Sequence, residues 1–163
     1  MIAAAKNLKV VGRAGIGVDN VNIPSATKAG ICVMNTPFGN SITTAEHAIA
    51  MMFALARQIP QANESTHAGK WEKKRFMGTE LFNKTLGLIG CGNIGSIVAD
   101  RALGLKMKVI AFDPFLTEER ARDIGVEKVE LDELFSRADF ITIHVPKNEK
   151  TCLLYTSPSP RDL

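Results

Sequence analysis

Ten residues limit this chain more than any others: Leu86-Gly87-Leu88-Ile89-Gly90-Cys91-Gly92-Asn93-Ile94-Gly95. The apolar run Leu86 to Ile89 reads as a buried strand. It enters Gly90, Gly92 and Gly95 at the spacing of a strand-to-helix turn. Beyond the turn, Ile94, Ile97 and Val98 recur at helical steps, and Val109-Ile110-Ala111-Phe112 forms a second apolar run ending in Asp113. Strand, glycine turn, helix, strand and terminal acid make a parallel βαβ unit, because a second strand reached through a helix must run alongside the first. The expected fold class is α/β, with a Rossmann-type doubly wound parallel sheet that is incomplete within these residues.

The same residues imply a ligand. Gly90 allows the tight turn, Gly92 keeps side chains away from an approaching pyrophosphate, and Gly95 permits close packing of helix on strand. Asn93 and Ile94 open the helix, whose first amides and positive dipole end favour phosphate. Asp113 accepts hydrogen bonds from ribose hydroxyls and repels a 2′-phosphate. Pro114 and Phe115 follow it, with no arginine to offset that repulsion. The expected cofactor is NAD rather than NADP.

Composition narrows the remaining classes. A chain of 163 residues with 45% hydrophobic content can bury a core, and 163 residues suit one domain or two partial ones. Net charge is +3, with basic residues scattered except around Lys70 to Arg75, which speaks against a nucleic-acid partner. No apolar run approaches the roughly 18 residues of a membrane span, and no secretory leader pattern opens the chain. Cys32, Cys91 and Cys152 are odd in number and lack CxxC spacing, which fits a reducing cytoplasm. Cys32, in a strand-like run, is expected to pack inside. No His, Cys, Asp and Glu spacing suggests a metal site.

Ahead of the fingerprint, Met1 to Leu8 reads as a helix end and Lys9-Val10-Val11 as a short inner strand. Gly12 to Asp19 is a glycine loop at that strand's end. A short helix opening at Asn22, Pro24 and Ser25 is stopped by Gly30, and Ile31 to Met34 forms the next strand. Thr43 to Arg57 has helical spacing and is apolar on most sides, so it should be largely buried. Gln61 to Ala68 can form a further helix. After Asp113, Thr117 caps a helix ended by Gly125, Leu131 to Arg137 forms another, and Phe140 to Val145 is a strand closing at Pro146. His47 is expected to pack and His67 to lie at the surface.

These stretches resemble the D-isomer-specific 2-hydroxyacid dehydrogenases. The match runs through Gly12-Arg13-Ala14-Gly15-Ile16-Gly17-Val18-Asp19-Asn20, Asn35-Thr36-Pro37, Ala54 to Arg57, Gly69-Lys70-Trp71-Glu72, Phe76-Met77-Gly78, the glycine fingerprint, Phe112-Asp113-Pro114 and Asp139 to His144. The resemblance implies that residues 1–37 are the end of a flavodoxin-like substrate domain and that 38–151 are part of an NAD-binding domain. It implies oxidation of a small phosphorylated 2-hydroxy acid, 3-phospho-D-glycerate foremost. The amides of Ala14, Gly15, Ile16 and Gly17 are expected to hold the substrate carboxylate, Arg13 its phosphate, and Lys73 to reach a neighbouring subunit's site. Gly90, Gly92, Asn93, Ile94, Gly95, Asp113, Val145 and Pro146 are the expected cofactor residues.

The family's catalytic Arg, Glu and His have no counterpart in these residues. The chain therefore resembles an interior piece of a longer enzyme, without turnover of its own. His144 matches a strand-end position rather than the catalytic histidine. Residues 152–163, with Ser157-Pro158-Ser159-Pro160, are expected to be a non-native or disordered tail. The expected assembly is a homo-oligomer through the Thr43–Arg57 helix and the Trp71 region. A non-catalytic NAD-binding or dimerisation module, and another family member such as a glyoxylate or hydroxypyruvate reductase, remain alternatives.

Overall fold

The computed structural model describes residues 2–146, 151 and 154, so the tail expected over 152–163 lies outside the described residues apart from Leu154. The chain divides into two compact units, Met1–Thr44 and Ala45–Leu163.

The first unit is a small parallel pair. A 3-10 turn, Ile2–Ala4, stands where a helix end was expected. Strand β1 (Val10–Arg13) pairs in parallel with β2 (Cys32–Asn35), Val10 opposite Cys32 and Arg13 opposite Asn35. Between them lies α1 (Ile23–Lys28), capped by the Asn22 side chain, which accepts from the Ser25 amide at 2.9 Å. Gly30 then turns the chain at a φ of +66°, the left-handed conformation that suits glycine after a helix. The strand expected to stop at Val11 runs on through Arg13, because pairing with β2 carries it forward. Cys32 is exposed, which corrects its expected interior place.

The second unit is built on a four-stranded parallel sheet in the order β5-β4-β3-β6. Strands β3 (Thr85–Ile89), β4 (Lys108–Phe112) and β6 (Phe140–Ile143) carry it, with β5 (Glu127–Lys128) a two-residue edge too short to announce itself in the sequence. Helices α4 (Asn93–Gly104), α5 (Glu118–Asp123) and α6 (Leu131–Arg137) make the crossovers. Two apolar clusters flank the sheet. Leu86, Leu88, Val98, Ala99, Ala102, Val109 and Ala111 belong to one, and Ile89, Ile110, Val129 and Leu134 to the other. Alternate residues of a strand point to opposite faces. That is why Leu88 and Ile89, neighbours in sequence, serve different clusters. Parallel strands covered on both faces read as continuous apolar runs, which is how β3 and β4 were visible in the sequence.

Helices α2 (Ser41–Ala56) and α3 (Ile59–His67) precede the sheet. They part at Gln58, held left-handed at φ 51°, and α3 opens with Pro60 in its first turn, where its missing N–H costs nothing. The expectation that α2 is largely buried is corrected. Ala45, Ala48, Ile49, Met52 and Phe53 pack on the sheet's cluster, while Ile42, Met51 and Leu55 are exposed. His47 is likewise exposed, not packed. Helix α2 has apolar residues on both sides, but only one side meets the sheet.

Candidate functional site

The glycine turn follows β3 at the point where the sheet changes direction of growth. From β3 the chain adds β4 and β5 on one side and then crosses to place β6 on the other. Open parallel sheets bind ligands in the crevice at such a switch point, beyond the carboxyl ends of the strands.

Close packing explains two of the three glycines there. Gly90 adopts a φ of +90°, and a Cβ on it would lie 2.6 Å from the His144 carbonyl oxygen and 2.7 Å from Val145 Cγ1. A Cβ on Gly95 would stand 2.1 Å from the Gly90 carbonyl oxygen, far inside contact distance. Gly92 differs: nothing lies within 4 Å of where its Cβ would be. Its lack of a side chain is not demanded by this chain's own packing. It leaves room directly at the start of α4, where Gly92 is the N-cap and supplies no side-chain capping bond. The first amides of a helix have no partner inside it, so the opening is a cradle for an anion.

Asp113 sits at the end of β4. Its Oδ2 accepts from the Cys91 amide at 2.8 Å and its Oδ1 from the Phe115 amide at 2.8 Å. The carboxylate is thereby fixed across the turn, and each oxygen retains a further acceptor position for a hydroxyl. The sequence singled out Asp113 but gave no sign of the Cys91 amide that orients it. Burial, with the Asp113 charge adding, pushes the Cys91 thiol up to about 11, so it stays protonated at neutral pH.

At the end of β6, the His144 amide donates to the Ile89 carbonyl at 2.8 Å. The imidazole Nε2 lies 3.0 Å from Thr142 Oγ1. Burial holds its pKa below the ordinary histidine value. Thr142 escaped the sequence reading, although its i,i+2 spacing from His144 puts both on one face of a strand. Val145, half-buried, packs with Ile143 against the second cluster and on Gly90, and Pro146 is exposed beside it. Gly90, Gly92, Asn93, Ile94, Gly95, Asp113 and Val145 are therefore gathered around one switch point.

The loop of the first unit is looser. The Gly15 amide donates to the Arg13 carbonyl at 2.9 Å, so that amide is committed within its own turn. The Gly15 carbonyl accepts from the Thr36 amide and the Ile16 carbonyl from Asn35 Nδ2, which ties the loop to the end of β2. Arg13 folds back over Gly15, its guanidinium nitrogens 3.4 and 3.7 Å from the position of a Cβ there. Its Nε is buried without a hydrogen-bond partner among the described residues. Ala14 and Gly17 are exposed. Lys73 stands exposed on a loop fixed nearby by Glu72, which accepts from Ser65 Oγ at 2.7 Å and pairs with Arg75 at 3.2 Å. The Ser65 hydroxyl and then the neighbouring Arg75 and Lys70 charges hold the Glu72 carboxyl below its usual value.

No group of three or more metal-ligating side chains is assembled among the described residues. No helix among them is long and apolar enough to cross a membrane.

Fold and turn together define a dinucleotide-binding α/β protein, and likeness to known proteins specifies the kind. Residues 49–158 match the NAD-binding domain of the D-isomer specific 2-hydroxyacid dehydrogenases, and the chain belongs to that family. It is 56% identical over 154 residues to the D-3-phosphoglycerate dehydrogenase of Synechocystis, a match covering 94% of this chain and 28% of that protein. Among solved structures, a protein from Thermus thermophilus superposes with a TM-score of 0.86 at 31% identity, over 94% of this chain and 49% of that one. D-lactate dehydrogenase from Aquifex aeolicus, solved with NAD and lactic acid, superposes at a TM-score of 0.79 and 31% identity, over 88% of this chain and 43% of that one. The cofactor of the family is NAD, and the open cradle at Gly92 fits its pyrophosphate.

Proposed function

We propose that this chain is the NAD-binding part, with a portion of the substrate domain, of an enzyme that oxidises 3-phospho-D-glycerate to 3-phosphohydroxypyruvate. NAD supplies the hydride acceptor. The observation that carries this reading is the 56% identity to a D-3-phosphoglycerate dehydrogenase, sustained over 94% of this chain. Physical chemistry supports each assignment. Asn93, Ile94 and Gly95 offer helix-start amides to the pyrophosphate, and the gap above Gly92 admits it. Asp113, held by two amides, takes the adenosine ribose hydroxyls and disfavours a 2′-phosphate. Val145 and Pro146 wall the pocket.

In the first unit, the Ala14 to Gly17 loop is assigned to the substrate carboxylate. Arg13 is assigned to its phosphate, for which a guanidinium is suited, and Lys73 to the active site of a neighbouring subunit. The orphaned Arg13 Nε marks a side chain with bonding capacity to spare. Residues 1–37 are read as substrate domain and 38–151 as NAD-binding domain. The working compartment is taken as the cytoplasm, and the assembly as a homo-oligomer using the exposed Met51, Leu55 and Trp71.

The test is absorbance of newly formed NADH, using the protein expressed from its full coding frame. It should turn over 3-phospho-D-glycerate with NAD at about 1 to 10³ per second. A protein that instead prefers lactate, glyoxylate or hydroxypyruvate would move to another branch of the family. One that binds NAD and turns over none of them would be a binding module.

A further inference from the structure

We propose that Asn35 is a positioning residue for the substrate, an assignment that rests on the substrate reading above. Its side-chain amide holds the Ile16 carbonyl, so that the Ile16 and Gly17 N–H groups are aimed together at the substrate carboxylate. The carboxylate site narrows to those two amides, and the Asn35-Thr36-Pro37 stretch acquires a task.

Two peptide planes set the direction. In a trans peptide the C=O and the N–H that follows it point opposite ways. The Gly15 carbonyl accepts from the Thr36 amide at 3.1 Å, and the Ile16 carbonyl from Asn35 Nδ2 at 2.9 Å. Both carbonyls are thus drawn towards the end of β2. The Ile16 and Gly17 N–H groups face away from it, and neither donates to a described residue. Consecutive backbone N–H groups turned the same way make an anion-binding concavity. Gly15 is not part of it, because its N–H already donates to the Arg13 carbonyl at 2.9 Å.

The strand pair presets this clamp. Asn35 ends β2 directly opposite Arg13, the last residue of β1, so its side chain reaches the loop from a fixed base. Pro37 biases Thr36 before it towards extended backbone. That conformation continues the line of β2 and keeps the Thr36 amide beside Gly15.

Net charge does little here. From Gly12 to Asn20 the charged side chains are Arg13 and Asp19. The Arg13 guanidinium lies against Gly15, and Asp19 Oδ1 stands 2.8 Å from the position of a Cβ on Gly17. The two charges offset each other, so a carboxylate is recognised by directed hydrogen bonds, which weaken steeply with misalignment. Of the two bonds that set the aim, the one from Asn35 comes from a side chain and can be removed without altering the backbone.

The experiment is steady-state kinetics of the protein expressed from its full coding frame. Glycerol 3-phosphate, which has the phosphate and no carboxylate, serves as inhibitor. Asn35→Ala should raise the KM for 3-phospho-D-glycerate about tenfold, the order of one hydrogen bond to a charged group. The inhibition constant of glycerol 3-phosphate and the dissociation constant of NADH should stay within about twofold. Asn35→Asp should lose more, because a carboxylate cannot donate to the Ile16 carbonyl and repels the substrate. Asn35→Gln keeps a donor and should recover part of the affinity.

An unchanged KM in Asn35→Ala overturns the assignment of Asn35 alone. So does an equal loss of 3-phospho-D-glycerate, glycerol 3-phosphate and NADH binding, the mark of a merely structural role. An unmodified protein that turns over lactate or glyoxylate instead overturns the phosphoglycerate reading. Those acids carry the same carboxylate, so a tenfold rise of their KM in Asn35→Ala still supports the clamp and an unchanged one overturns it. No turnover of any of these acids overturns the substrate reading and this assignment with it.

Discussion

Two glycine loops at the ends of parallel strands look alike in the sequence and differ in what constrains them. At Gly90 and Gly95 the turn after β3 has no tolerance. A Cβ on Gly90 or Gly95 would meet backbone atoms at distances no side chain can share, and within β3 itself a Cβ on Gly87 would stand 2.6 Å from Leu134 Cδ2. The loop after β1 is crowded only by side chains: a Cβ on Gly15 would lie 3.4 Å from the Arg13 guanidinium, and one on Gly17 2.8 Å from Asp19 Oδ1. The first is a packed joint between helix and sheet. The second lies on a two-stranded sheet, and its shape is held by a few bonds to β2. Glycine in the first is a requirement of the fold. In the second the fold tolerates its loss.

The largest expected effect comes from adding one methyl group to each loop. Gly95→Ala forces the first turn of α4 away from Gly90 and should cost about 3 kcal/mol or more, the scale of overpacking against backbone. Gly15→Ala displaces only the flexible end of Arg13 and should stay within about 0.5 kcal/mol. Paired thermal melts decide the matter, and equal losses would erase the contrast.

Gly92→Ala sharpens it. Gly92 belongs to the packed turn, yet nothing occupies the space beside it. Stability should change by less than about 0.5 kcal/mol, while NADH affinity falls at least tenfold, because the new methyl takes the place of the pyrophosphate. Calorimetric titration beside the melt separates the two effects. A variant that binds normally would show that the space has no ligand.

The two units also hold cysteines of opposite character. Cys32 is exposed on β2, whereas the Cys91 thiol is half-buried and pushed up to about 11. Only the thiolate reacts, so alkylation near pH 8 should label Cys32 at least about tenfold faster than Cys91. Peptide mapping by mass spectrometry reads the ratio, and NADH should slow Cys91 further.

A smaller effect concerns acid. Asp139 accepts from the Thr85 amide at 2.8 Å and from Lys84 at 3.3 Å, joining the starts of β3 and β6. The Thr85 amide is the main reason that its carboxyl lies below the ordinary value of 3.8. A carboxylate depressed in the folded state contributes stability that is complete above the unfolded value and lost as pH falls through the folded one. Asp139→Asn should therefore lower the melting temperature by a few degrees at pH 7 and by progressively less below pH 4, where the unmodified chain has lost the same bond. A constant difference across pH would remove the linkage.

Much of the second unit was legible. Apolar runs gave β3 and β4 because these strands are buried on both faces. An apolar run also gave β6, although it is an edge strand with Ile141 exposed, and α6 is found at Leu131–Arg137, where the pattern placed it. Capping residues marked α5 and α1. What the sequence hid was relational. The exposure of Cys32, the exposed side of α2 and the two-residue β5 depend on what the rest of the chain packs against, and no local pattern carries that. At the candidate site, residue types and spacing revealed Asp113 and the glycines. The Cys91 amide that orients Asp113 appears only when the ends of β3 and β4 are brought together, whereas the pairing of Thr142 with His144 is a matter of i,i+2 spacing along one strand.

The central claim is that the packed turn, with Asp113, is an NAD site. Its most direct measurement is a titration of the chain with NADH and NADPH in parallel, repeated with Asp113→Ala. The account predicts one saturable NADH site, NADPH weaker by at least about tenfold because its phosphate meets the Asp113 carboxylate in partly desolvated surroundings, and a preference largely erased by the substitution. Equal affinity for the two cofactors in the unmodified chain, or no saturable binding of NADH, would contradict it.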